Sequence, residues 1–153
     1  MKRATVFILA VTILLAGVHY SRAVSKPVIA VEIFGIEFCP QSVCGAADFG
    51  GAFEGHIGAR NFVVGDFEVS VTHDPLPSPN ETAAITGGSW LLVSRQGRFS
   101  GDIVEGTLLN NGDNTYTVDA LLELKQGGTG DLIFVGKLNH NTVVPTITGS
   151  LSQ

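Results

Sequence analysis

From Phe67 to Thr72, FEVSVT, apolar and polar residues alternate one for one. The same period returns in Tyr116, Val118, Ala120, Leu122 and Leu124, which share one parity, while Thr115, Thr117, Asp119 and Glu123 fall on the other. Successive residues of a strand point to opposite faces, so this alternation marks strands with one buried face. Read along the chain, it predicts eight strands: 28–38, 49–58, 62–73, 84–94, 98–109, 114–125, 130–140 and 144–152. After the first 23 residues no stretch shows the 3.6-residue period of an amphipathic helix.

The breaks carry turn chemistry. Asn110-Asn111-Gly112-Asp113-Asn114 contains an Asn-Gly and predicts a hairpin between the fifth and sixth strands. Lys125 to Gly130, KQGGTG, predicts the next one. Asp74 to Glu81, DPLPSPNE, has prolines at alternate positions and reads as an extended surface loop, since proline cannot pair in a central strand. It is no domain boundary, because each half alone has too few strands for a stable core.

A five-residue pattern recurs: apolar, any, Gly, any, then Ile or Leu. Its copies are Phe53–Ile57, Phe99–Ile103, Val104–Leu108, Phe134–Leu138 and Ile147–Leu151. In a strand each copy shows apolar, glycine, apolar to one side. The central gap admits a ring from a neighbouring strand or lets the strand coil, and both devices curve and close a sheet. The second and third copies are out of phase: Phe99, Gly101 and Ile103 are odd, whereas Val104, Gly106 and Leu108 are even. The phase break predicts a β-bulge near Ile103–Val104. The alternative is a strand buried on both faces.

Short antiparallel strands, glycine corners and no helix predict an all-β fold, a small antiparallel β-barrel of about eight strands, with a β-sandwich as the alternative. An outer-membrane barrel would want aromatic girdles. This chain has one Trp and two Tyr and ends Leu151-Ser152-Gln153, which speaks against that class. Ala83 to Gly88, AAITGG, and Gly127 to Gly130, GGTG, resemble pieces of the glycine-rich strands of dirigent and allene oxide cyclase-like secreted β-barrels. The likeness covers those two patches and implies a barrel, with no activity carried over.

The N-terminus supplies the compartment. Lys2 and Arg3 precede an apolar run from Ala4 to Val18, and Ser21-Arg22-Ala23 places small residues at −3 and −1 of a cut after Ala23. That is the order of a cleaved signal peptide, residues 1–23, and the run is shorter than the roughly 20 residues of a spanning helix. An uncleaved anchor is the alternative. The expectation is one exported β-domain over 24–153, secreted or periplasmic, in the cell envelope or beyond it. Loss of Lys2, Arg3 and Arg22 leaves 6 of the 9 basic residues against all 14 acidic ones, so the formal net charge moves from −5 to −8. A dispersed acidic balance disfavours nucleic acid, whose phosphates require clustered Lys and Arg. The two cysteines, Cys39 and Cys44, are expected to form a disulfide, as export permits. It closes a short loop and would pin a local turn at about 2 kcal/mol.

No nucleophile elbow, His-Glu-x-x-His, P-loop or dinucleotide fingerprint occurs. No catalytic or cofactor-binding residue is therefore assigned, and no cofactor is expected. The histidines beyond the signal are His56, His73 and His140. Were their strand ends neighbours, His73, Asp74 and His140 would be candidates for a metal or for acid–base chemistry; the plainer reading is turn capping. NNGDN lacks the carboxylates of a calcium loop. Asn80-Glu81-Thr82 fits a glycosylation acceptor. Glu32 and Glu37 interrupt the apolar first strand, and either marks a solvent face or enters the barrel as a buried acid. The functional expectation is non-catalytic binding of a small apolar ligand or a protein partner, or an envelope-associated structural role. An isomerase- or cyclase-like barrel enzyme is the alternative.

Overall fold

The computed structural model describes residues 28–58 and 62–153, and the expected signal peptide falls outside them. Eight strands follow one another: β1 (Ile29–Cys39), β2 (Ala47–Ile57), β3 (Phe62–His73), β4 (Thr82–Ser94), β5 (Gly97–Asn110), β6 (Thr115–Gln126), β7 (Gly130–Asn139) and β8 (Thr146–Ser152). Each pairs antiparallel with the next, and β8 pairs antiparallel with β1, so the sheet closes into a barrel. Val31 faces Leu151 and Gly35 faces Ile147 across the closing seam. Closure removes the unpaired edges that a sandwich would leave.

Alternation sorts the side chains as expected. Ile29, Val31 and Ile33 of β1 and Tyr116, Val118, Ala120, Leu122 and Leu124 of β6 are buried inside. Glu54, Asp66, Glu68, Asp119 and Asp131 sit mid-strand on the outside, exposed. The interior is apolar, while the exterior mixes these charges with exposed apolar side chains, among them Phe34, Ile36, Val64, Ile133 and Val135.

The bulge is where the phase break puts it. Ile103 faces Leu122 and Glu105 faces Leu121, which leaves Val104 without a β6 partner. Val104 and Glu105 both face outward, and burial resumes inside at Leu108. The extra residue resets the phase of β5. It also corrects one detail: Val104, expected on the buried face with Gly106 and Leu108, is 49% exposed because the bulge turns it outward.

The glycine gaps admit rings. Gly136 of β7 pairs with Gly149 of β8, and the Phe134 ring lies over both. A Cβ on Gly149 would come within 2.6 Å of the Gly136 Cα and 2.7 Å of a Phe134 ring carbon. Gly65 of β3 receives the Phe53 ring in the same way: a Cβ there would come within 2.7 Å of a Phe53 ring carbon.

The barrel is filled unevenly. At the end holding the start of β1, Phe53, Leu92, Leu124 and Leu132 join Ile29 as large, fully buried side chains and form a solid floor. At the other end the strands are roofed by two connections. One is a single helical turn, α1 (Gln41–Cys44), closed by Gly45 at φ 81°, the left-handed cap that glycine favours. Cys39 and Cys44 bracket this turn with their sulfurs at disulfide distance and their Cα atoms 6.1 Å apart. The other is the proline-rich connection 74–81 between β3 and β4, a loop as expected.

Candidate functional site

Beneath the roof lies a cavity of about 360 Å³. Its walls are the inward residues of the upper half-barrel, among them Phe49, Val69, Val71, Leu108, Val118 and Ile147. Its depth ends on Phe67, Trp90, Ile103, Leu122 and Phe134. Trp90 is 3% exposed and its indole N–H donates to the Glu123 carbonyl at 3.2 Å, which spans the barrel wall and fixes the ring. The chain's one tryptophan therefore stands at the cavity floor.

The two parts of the roof are joined by one side chain. Gln41 of α1 donates its amide N–H to the His73 carbonyl at 2.8 Å and accepts the His73 backbone N–H at 2.8 Å. This two-way clamp joins the turn beside β1 to the end of β3. Pro40, Gln41 and Ser42 on one side, with Pro75 and Leu76 on the other, border the cavity. The loop bearing Leu76 is tied down by Asn110, whose amide donates to the Pro77 carbonyl at 2.8 Å.

Besides Gln41, Ser42 and His73, two further polar side chains border the cavity. Glu37 lies near the end of β1, in phase with Ile29, Val31 and Ile33, and its side chain is 9% exposed. His140 follows β7, in phase with Leu132, Phe134 and Leu138, and its side chain is 28% exposed. His140 Nε2 is 3.9 Å from a Glu37 carboxylate oxygen. That is beyond hydrogen-bond range, and Nε2 is buried with no partner. The backbone of His140 is anchored, its N–H donating to the Asn114 carbonyl at 2.9 Å. Its ring rests on that of Tyr116, centroids 5.3 Å apart.

The other candidates disperse. His73 borders the cavity, and its Nδ1 lies 2.5 Å from the Asp74 carbonyl. His73, Asp74 and His140 share one rim but do not gather their ligand atoms. Among the described residues the group of metal-ligating types drawn within 4.8 Å is Cys39, Cys44 and Asp48, two of which are at disulfide distance from each other. His56 lies outside the barrel, edge-on to Phe62 at 5.6 Å. Glu32 is exposed, one parity away from Glu37. Asn80 is exposed on the proline-rich loop.

The NNGDN turn spends its oxygens on itself. Asn110 Oδ1 accepts the Gly112 N–H at 2.8 Å, and Asp113 accepts both the backbone N–H and the hydroxyl of Thr115. The Thr115 hydroxyl is the main cause holding the Asp113 carboxyl below its ordinary range. On the outer wall, Lys125 is raised chiefly by its hydrogen bond to Asp102. Neither group touches the cavity.

Sequence reasoning left Glu37 open between two faces and gave His140 to turn capping. The signal was parity. Closure of β8 onto β1 is what makes the two neighbours, for it carries the end of β7 within reach of the end of β1.

Comparison with known protein families, with curated proteins and with solved structures returns no match. The functional reading accordingly rests on the geometry.

Proposed function

We propose that this barrel binds a small, largely apolar ligand in its hollow upper half, as an exported, non-catalytic binding protein. The observation that carries the reading is the cavity: about 360 Å³, walled by Phe, Leu, Ile and Val, floored and roofed. That volume sits at the lower end of small-molecule sites, which are concave, mostly apolar and fixed by a few polar groups. A barrel with a purely structural role has no use for an unfilled half, since each unfilled methyl-sized space costs about 1 kcal/mol. Export is supported by the Cys39–Cys44 pair, as disulfides persist in oxidising compartments, and by the N-terminal segment 1–23.

One observation favours a second reading. A carboxylate and an imidazole face each other inside an apolar cavity, as a proton-transferring isomerase- or cyclase-like barrel enzyme would require. Native mass spectrometry of the exported protein, before and after mild denaturation, separates the possibilities. A small molecule released unchanged on denaturation supports binding. Recovery of a chemically altered molecule after incubation supports the enzyme. A protein that carries no molecule and takes up none from a panel of apolar compounds refutes both.

A further inference from the structure

We propose that Glu37 and His140 form a reader for a single hydroxyl group, so that the ligand is an apolar alcohol whose hydroxyl sits at the cavity mouth. The inference rests on the cavity being a ligand site and names the chemistry of its head group.

Of the other polar side chains that border the cavity, Ser42 is exposed, and Gln41 and His73 are engaged. Gln41 spends both amide atoms on the His73 backbone, and His73 Nδ1 meets the Asp74 carbonyl. Glu37 and His140 Nε2 are left over. Among the described residues the Glu37 carboxylate makes no hydrogen bond, though its side chain is nine-tenths buried, and Nε2 is buried without a partner. A buried polar atom such as Nε2 is costly to leave unsatisfied, and with the unbonded Glu37 carboxylate facing it at the cavity mouth the two call for an occupant.

The spacing selects the occupant. Glu37 and His140 are 3.9 Å apart. An oxygen about 2.8 Å from each fits between them at normal hydrogen-bond lengths. That oxygen must donate to the carboxylate, which has only acceptors, and accept from the imidazole N–H that faces the carboxylate. A hydroxyl does both with one atom. An ether accepts only. A carboxylate head would set two anions side by side. An ammonium pays a far larger desolvation cost on entering an apolar site. Below the pair every wall is hydrocarbon, which fits a ligand with one polar end.

The test uses Trp90 fluorescence, which reports occupancy at the floor without a label. The probes are octan-1-ol, its isomer 1-methoxyheptane, octanoate and octylamine, titrated into the full exported protein. Octan-1-ol is expected to bind at least about tenfold more tightly than the ether, as hydrogen bonds to a charged group suggest. Glu37→Leu and His140→Phe should each bring that preference to within about twofold. Glu37→Gln, which keeps the shape and loses the charge, should lower the preference several-fold and guards against a variant that does not fold. Equal binding of alcohol and ether overturns the proposal. So does a preference that survives both substitutions, or tighter binding of octylamine or octanoate. A flat response to all four probes overturns the cavity reading itself and the proposal with it, an outcome distinct from binding without preference.

Discussion

The two halves of this barrel are built from the same strands and the same alternation, yet one is solid and the other hollow. In the lower half, Phe53, Leu92, Leu124 and Leu132 meet across the axis, and glycines such as Gly65 make room for the rings. In the upper half the inward positions include Val69, Val71, Val118 and Ile147 beside Phe49 and Leu108, and together they leave about 360 Å³. The eight-stranded circumference is the same at both ends. An eight-stranded interior is wide enough either to be filled by side chains or to hold one small ligand. The hollow half also carries the roof, the cysteine pair, and Glu37 and His140, whereas the solid half carries none of these.

The contrast can be broken by substitution. Phe53→Ala, in the solid half, is expected to cost about 3–5 kcal/mol in urea unfolding, because the floor cannot collapse into the space. Leu138→Ala borders a void already present and should cost visibly less, since one side of it lacks packing partners. Equal losses would erase the distinction between the halves. Gly149→Val comes next. It drives a side chain into the Phe134 ring and the Gly136 backbone, and roughly 1–3 kcal/mol should be lost.

Opening the roof follows. Cys39→Ser with Cys44→Ser should cost about 2 kcal/mol by the loop-entropy estimate and speed ligand exchange, because the pair brackets the turn that carries Gln41. Thiol alkylation checks the premise: labelling of both cysteines in the exported protein without reductant would refute the bond. Filling the hollow should be mild in energy and severe in effect. Val118→Phe is expected to cost under about 1.5 kcal/mol, because there is room for the ring, and to abolish ligand binding.

The smallest effect lies outside both halves. The Asp113 carboxyl is lowered by the Thr115 hydroxyl, so it contributes stability above its unfolded value near 3.8, and that contribution fades as pH falls through the lower folded value. Asp113→Asn should lower the melting temperature slightly at neutral pH and converge with the unsubstituted protein at low pH, which flattens the fall below about pH 4.

Much of this was legible in the chain. The eight strands, the hairpin turns, the proline-rich loop and the bulge at Ile103–Val104 follow from period and parity, which are local properties. The turn of α1 escaped, because four residues are too few to show a helical period. The site escaped for a different reason. Glu37 and His140 are neighbours only because β8 closes onto β1, and a pairing between chain ends leaves no mark on either residue. The hollow too is a sum over eight strands: each Val or Ile in the upper half is an ordinary strand residue, and only the closed circumference turns their modest size into a cavity.

Xenon tests the difference between the halves most directly, because a dry apolar cavity takes it up and a packed core does not. In crystals of the protein pressurised with xenon, ordered atoms should appear between Val69, Val118 and Trp90, and none among Phe53, Leu124 and Leu132. An empty upper half, or xenon distributed equally between the two ends, would contradict the account.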